Sequence, residues 1–214
     1  ICGILTLVRH KGRGNGKETA MHGLIYRAIE CFVTDSYGSE KWAQAASLAD
    51  LGFVEFEPML IYDDALAPQV IAAVGEVLNR SEADLMEDVG TYLVSHPNTE
   101  GLRRLMRFGG VSFVELLHSL DDLQDRARLA VSDLILPHIE LHEYTATHFS
   151  LICGTAIPSF GHVMMGLLRT MADDYGVLAL LEYEGGAAGM ETVSIRLVET
   201  EFAEGRRFAL GAAP

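Results

Sequence analysis

The chain has 214 residues, with 16 Lys and Arg against 30 Asp and Glu and a formal net charge of −14. That length makes one domain, or one with two lobes, and at 49% hydrophobic and 21% charged residues it buries a core rather than staying disordered. The acidic balance argues against nucleic acid and against an anionic membrane surface as partners, because either polyanion would be repelled.

No apolar run approaches the ~18 residues of a membrane span. The three cysteines, Cys2, Cys31 and Cys153, form no Cys-x-x-Cys pair. They suit a reducing cytoplasm better than a disulfide scaffold or a thiolate zinc site. At the N-terminus, the apolar run Ile1–Val8 precedes Arg9, Lys11, Arg13 and Lys17, the reverse of a signal peptide's order. Gly12–Glu18 has the look of a phosphate loop, but Lys11 stands where the first Gly belongs and Glu18 where Ser or Thr would hold magnesium. Residues 1–20 therefore read as a flexible N-terminal extension, and 21–214 as the domain.

From Met21 to about Asp125 the apolar spacing is helical. Leu24, Ala28, Cys31 and Phe32 share a face, and Tyr37-Gly38 closes that helix. Ser39 is expected to cap a short helix through Trp42 and Ala46. Phe53–Tyr62 is irregular, with Pro58 inside it. Ala67–Leu78 reads as a helix with Val70, Val74, Val77 and Leu78 on one side. Ser81 is an N-cap, with Asp84 three residues on, for a helix carrying Leu85, Val89, Tyr92 and Leu93 that His96-Pro97 ends. Leu102–Phe108 is short. Ser112 then caps a single periodic helix through Phe113, Leu116, Leu117, Leu120, Leu123 and Ala127.

After Pro137 the period falls to two. Ile139–Tyr144 and His148–Cys153 alternate and form a hairpin. Pro158–Tyr175 is a helix with Pro in its first turn. Val177–Tyr183 and Val193–Val198 are strands joined across Gly185, Gly186 and Gly189, and Phe202–Leu210 is a candidate edge strand. Helices first and hairpins around one helix afterwards make an α+β fold.

Three stretches carry a family resemblance: Met21-His22-Gly23 opening the first helix, Phe113–Asp125, and Gly166-Leu167-Leu168 after the first hairpin. Through them the segment from Met21 to about Val198 resembles the H-NOX family, the haem–nitric oxide/oxygen-binding sensor domains. The resemblance implies a helical distal lobe, about 21–110, and a proximal lobe, about 111–214, of helices on a four-stranded antiparallel sheet. It also implies a cytoplasmic, non-enzymatic domain that binds haem b, reads NO or O2, and signals to a partner such as a histidine kinase or a cyclic-dinucleotide enzyme.

The family's functional residues are another matter. Its haem-ligating motif is Leu-Asp-x-Leu-His, and this chain reads Leu120-Asp121-Asp122-Leu123-Gln124, with Gln124 at the ligand position. A carboxamide oxygen is a poor substitute for an imidazole on haem iron. Pro137, thirteen residues on, matches the family's proline against the macrocycle. The propionate-gripping motif Tyr-x-Ser-x-Arg falls at Cys153-Gly154-Thr155-Ala156-Ile157, which keeps a hydroxyl at Thr155 and loses the charge-assisted clamp. A second register, Tyr144–His148, keeps a Tyr and a basic residue but puts Ala146 at the Ser position and needs an insertion.

Other residues read blandly. His118, six residues before Gln124, falls on a different face of a continuous helix and reads as a boundary histidine. His22 is a polar helix-start residue. His138, Glu140 and His142 share a strand face and could hold a metal, but a solvated face explains them as well. His162, Met164, Met165 and Met171 read as packing, and Cys153 as a buried, inert thiol. No catalytic constellation is present.

The expectation is thus an H-NOX-like sensor domain with weakened, altered or lost haem binding, its pocket lined by Ile25, Leu93, Phe113, Leu117 and Leu120. The alternatives are a site for an apolar small molecule or another tetrapyrrole, or a ligand-free protein-interaction module. An empty haem-sized void would cost about 24 cal/mol per Å3, enough to rival a domain's net stability. Tyr26, Tyr92, Phe113, Leu117 and Phe160 are the bulky residues expected to fill it.

Overall fold

The computed structural model describes residues 20–206; the N-terminal extension expected at 1–20 lies almost wholly outside them. The chain divides into two compact units, one up to Glu82 and one from Ala83.

In the first unit, strand β1 (Ala20–His22) leads into helices α1 (Gly23–Tyr37) and α2 (Ser39–Leu48), then strand β2 (Ile61–Asp63) and helix α3 (Leu66–Leu78). The His22 imidazole Nδ1 caps α1 by accepting the Leu24 N–H at 3.2 Å. Gly23 is required because a Cβ there would lie 2.2 Å from the Glu57 carbonyl oxygen. α2 starts at Ser39 itself, with Gly38 (φ 93°) as the capping residue, rather than using the Ser39 hydroxyl as a cap. The expected irregular stretch before Tyr62 is held by side chains. The Trp42 indole donates to the Val54 carbonyl at 2.6 Å, and the buried Glu30 carboxylate accepts the Phe56 N–H at 2.9 Å. Tyr26 stacks on Phe56 with ring centroids 4.7 Å apart, and Tyr62 meets both rings edge-on. This aromatic cluster is the centre of the unit.

The second unit begins with α4 (Glu82–Ser95), a 3-10 turn (Pro97–Thr99) and α5 (Glu100–Arg107). The single helix expected from Ser112 to Ala127 is two: α6 (Phe113–His118) and α7 (Leu123–Ala130). Ser112 does cap α6, accepting the Glu115 N–H at 3.2 Å. The break at 119–122 is stabilised from α7. The Arg126 guanidinium donates to the Ser119 carbonyl at 2.9 Å and the Ser119 hydroxyl at 3.1 Å, satisfying groups the interrupted helix leaves open.

Strands β3 (Ile139–Thr145), β4 (His148–Gly154), β5 (Leu178–Ala187) and β6 (Met190–Glu199) form one antiparallel sheet in the order β3-β4-β6-β5. The β5–β6 connection turns at Ala188 and Gly189, both at positive φ (54° and 80°), which suits the right-handed twist of the flanking strands. Helix α8 (Phe160–Tyr175) packs against this sheet. It starts two residues later than Pro158 because Ser159 is left-handed at φ 55°. Phe149, Leu151, Cys153, Val193, Ile195 and Leu197 are buried on the alternating positions of β4 and β6. α4 and α8 cross backbone to backbone: a Cβ on Gly90 would lie 2.0 Å from the Val163 carbonyl oxygen, and one on Gly166 1.9 Å from that of Glu87. The edge strand expected from Phe202 is not formed at 202–206. There the chain bends past the end of α8, with the Ala203 N–H on the Gly176 carbonyl and the Arg206 N–H on that of Asp174; residues 207–210 lie outside the described part. The observed architecture is the expected α+β fold with a four-stranded antiparallel sheet.

Candidate functional site

Gln124 sits on the first turn of α7, half-buried. Its carboxamide nitrogen donates to the Leu134 carbonyl at 2.9 Å, and its carboxamide oxygen accepts the Leu136 N–H at 2.6 Å. One side chain thus clasps the returning segment 134–136 as a neighbouring strand would, donor to acceptor and acceptor to donor. Pro137 follows immediately and is buried. Both functional atoms of the side chain at the expected ligand position are thus hydrogen-bonded to the backbone.

The Cys153–Ile157 stretch is equally committed. Cys153 is fully buried at the end of β4, and burial, reinforced by the nearby Glu191 carboxylate, pushes its thiol pKa up to about 12. It is therefore a protonated, unreactive thiol at neutral pH. The Thr155 hydroxyl donates to the Gly189 carbonyl at 3.0 Å, and the Thr155 N–H binds the same oxygen at 3.1 Å. Ile157 is buried. No side chain of the three offers a cation.

Sequence reasoning passed over Glu191. The residue is 7% exposed, and its carboxylate Oε2 accepts the Gly161 N–H at 2.5 Å in the first turn of α8. In the sheet register Glu191 stands directly opposite Cys153. Its phase with Val193, Ile195 and Leu197 was the signal that could have found it: the same alternation that buries them buries it.

His118 is not on the helix of Gln124, because the break at 119–122 lies between them. It is half-exposed and pairs with Glu143 at 3.2 Å across the surface. On β3, the Glu140 carboxylate binds the His142 imidazole through one oxygen at 2.9 Å and the His138 imidazole through the other at 3.4 Å. All three are exposed or half-exposed, and among the described residues no group of three or more potential ligands is placed to hold a metal. The His162 ring stacks on Tyr183 at 4.2 Å, while its Nδ1 is buried without a hydrogen-bond partner. Of the residues expected to line or fill a pocket, Tyr26, Tyr92, Phe113, Leu117, Leu120 and Phe160 are buried, whereas Ile25 and Leu93 are half-buried. Among the described residues Cys153 is a free, buried cysteine. No helix among the described residues is long and apolar enough to cross a membrane.

A family model described as Haem-NO-binding matches residues 22–179. Soluble guanylate cyclase 89Db of Drosophila melanogaster is 22% identical over 177 residues, covering 79% of this chain but 26% of the fly protein. Soluble guanylate cyclase gcy-31 of Caenorhabditis elegans is 23% identical over 181 residues, 83% of this chain and 26% of its own length. The chain therefore spans about a quarter of these curated relatives. Among solved structures, the Fe(II) unliganded H-NOX protein from K. algicida superposes with a TM-score of 0.71 at 18% identity, over 86% of this chain and all of that one. The H-NOX protein from S. oneidensis in the Fe(II)NO state gives 0.66 at 17% identity, over 83% and 99%. At such identities the superpositions speak for the fold. At the positions where the family pattern is expected to hold haem, Gln124, Cys153, Thr155 and Ile157 supply neither an imidazole nor a cation.

Proposed function

Because this chain belongs to the Haem-NO-binding family, we propose that it is a sensor-type signalling domain in which haem ligation through the usual helix position has been given up. The observation that carries this reading is the double hydrogen bond of the Gln124 carboxamide to the backbone of Leu134 and Leu136. To meet an iron, the side chain would have to break both bonds and leave two half-buried backbone groups open, for a weak oxygen ligand in return. The propionate positions support the same reading, since Cys153 and Ile157 are buried and the Thr155 hydroxyl is engaged.

When bound, the family's cofactor supplies an iron that takes up NO or O2. The contribution of this chain is scaffold: α7 and the segment 134–136 are locked together by Gln124 and leave no imidazole for the metal. The domain itself is non-catalytic in this reading. Its output passes to a signalling partner, such as a histidine kinase, a cyclic-dinucleotide enzyme or a cyclase module of the kind the relatives' names describe. It works in the cytoplasm.

The test is a titration of the purified chain with haemin, followed in the Soret region with and without NO. The expected result is no stoichiometric complex and no NO-dependent band shift. A one-to-one complex whose Soret band moves on adding NO would overturn the proposal.

A further inference from the structure

A groove opens beside Tyr175, wholly within the second unit and apart from the residues of the candidate site. Val111, Phe113, Tyr175, Val177 and Leu197 wall it, and its volume is about 200 Å3. Small-molecule pockets run at about 300–1,000 Å3, so this is a socket for a single large side chain. Its mouth is apolar and open to water. Val111 is 90% exposed. Phe202 is 61% exposed and is brought alongside by the bond of the next residue, the Ala203 N–H on the Gly176 carbonyl between Tyr175 and Val177. Exposed apolar side chains around an apolar socket mark an interaction surface. The wall that carries Val111 is fixed in advance. The Tyr175 hydroxyl donates to the Gly110 carbonyl at 2.7 Å, and the Glu115 carboxylate accepts the Val111 N–H at 2.7 Å. A partner therefore does not have to order it on binding.

The rim of the groove is acidic. Glu199 and Glu201 flank the lining residue Thr200, Glu115 holds Val111, and Glu204 follows the Ala203 that binds Gly176. All four are exposed, and among the described residues none of them is in an ion pair. Two cations lie nearby: Arg107, laid over the Tyr175 ring at 3.9 Å, and Arg206, whose N–H binds the Asp174 carbonyl. The rim is thus net negative. An acidic rim around an apolar socket steers a basic segment in and repels an acidic one. We propose that this groove docks a cationic segment of a partner protein that carries one large apolar side chain: that side chain fills the socket, and its Lys or Arg neighbours pair with the rim carboxylates. The inference rests on the functional reading above only in taking the partner to be the signalling protein.

The test pans a phage library of random dodecapeptides on the full chain at about 0.15 M salt. The best peptide is then titrated, by fluorescence anisotropy, into the wild type, Thr200→Trp and Glu199→Lys/Glu201→Lys. Thr200→Trp fills the socket and the double variant reverses two rim charges. Both substitute exposed residues, and far-UV circular dichroism checks that each is folded. The enriched peptides should share one Phe, Trp, Leu or Met with Lys or Arg close by. Thr200→Trp should weaken binding about tenfold or more. The charge reversal should weaken it about fivefold or more. Failure to enrich any peptide overturns the inference, as does enrichment of peptides without basic residues, or binding that Thr200→Trp leaves unmoved. Two other occupants have their own signatures. Peptide binding that appears only after deletion of residues 207–214 would assign the groove to the chain's own segment. Self-association of the wild type in sedimentation, abolished by Thr200→Trp, would assign it to a second copy. Either result overturns the inference. A stoichiometric NO-responsive haemin complex would instead sink the functional reading and leave the groove's chemistry standing, so the two failures are distinguishable.

Discussion

Replacing Gln124 with Ala measures what the clasp on segment 134–136 is worth. The wild-type side chain makes two hydrogen bonds, at 2.9 Å to the Leu134 carbonyl and 2.6 Å to the Leu136 N–H. Each contributes about 1 kcal/mol net, and a backbone group left open in a half-buried place adds to the cost. The sum is about 2–3 kcal/mol, a large share of the ~5–15 kcal/mol that holds a domain together. Gln124→Glu separates the two bonds: it keeps an acceptor for Leu136 but turns a carboxylate oxygen toward the Leu134 carbonyl, so it should lose at least half as much. Urea unfolding followed by far-UV circular dichroism is the assay. The one tryptophan, Trp42, belongs to the first unit and reports on the wrong one. A midpoint shift in Gln124→Ala equivalent to less than about 0.5 kcal/mol would mean the clasp is incidental, and the argument against ligation would lose its support.

Three further outcomes follow from the packing. Burial pushes the folded Cys153 thiol up to about 12 from its ordinary value of 9.0, so the unfolded chain sheds its proton first and stability is lost as pH rises from 9 towards 12. At pH 10.5 the wild type should have lost about 2 kcal/mol relative to Cys153→Val, read as a closing gap in melting temperature between pH 8 and 10.5. Gly90→Ala or Gly166→Ala should each destabilise by about 3 kcal/mol, because either methyl forces α4 and α8 apart; the double variant should cost less than the sum in chemical denaturation, since one separation relieves both clashes. Asp174→Ala leaves the buried Arg103, whose Nε donates to that carboxylate at 2.5 Å, with Glu100 at 3.4 Å as its remaining carboxylate, and should cost about 3 kcal/mol in the same assay, while Arg103→Met with Asp174→Leu should recover most of it.

Much of the fold was legible because periodicity survives in it: α1, α3, α4 and the two hairpins lie within a few residues of where apolar spacing and Gly or Pro punctuation put them. The break between α6 and α7 was not legible. Leu117, Leu120 and Leu123 are linked by tight bonds, the Leu120 N–H to the Leu117 carbonyl and the Leu123 N–H to that of Leu120, which keep three-residue spacing through a turn that is not α-helical. The β1–β2 pair was invisible because three-residue strands leave no alternation to count. At the candidate site, the substitution at 124 could be read from the family pattern, but its partners ten and twelve residues later depend on how the chain returns from α7. Glu191 was missed because the strand was taken to start at Val193, and a charged residue at a strand end normally reads as solvent-facing.

A binding site that merely decays leaves polar groups without partners, since the ligand once satisfied them. In the proposed reading the positions of the former site are engaged instead: Gln124 and Thr155 each meet a backbone group of the same unit. Restoring the ligand is therefore not free. Gln124→His must give up a matched donor–acceptor pair that one imidazole cannot reproduce toward both Leu134 and Leu136, so the ligand-free variant should be less stable than wild type by about 1–2 kcal/mol. Haem binding only to the folded form raises stability by RT ln(1 + [L]/Kd), so saturating haemin should lift the variant's melting temperature while leaving the wild type unmoved. The lift should be partial, and adding Cys153→Tyr and Ile157→Arg should enlarge it by returning a hydroxyl and a cation to the propionate edge. A Gln124→His protein as stable as wild type, with its melting temperature fully responsive to haemin before the other two changes are made, would show that the clasp does not guard the site.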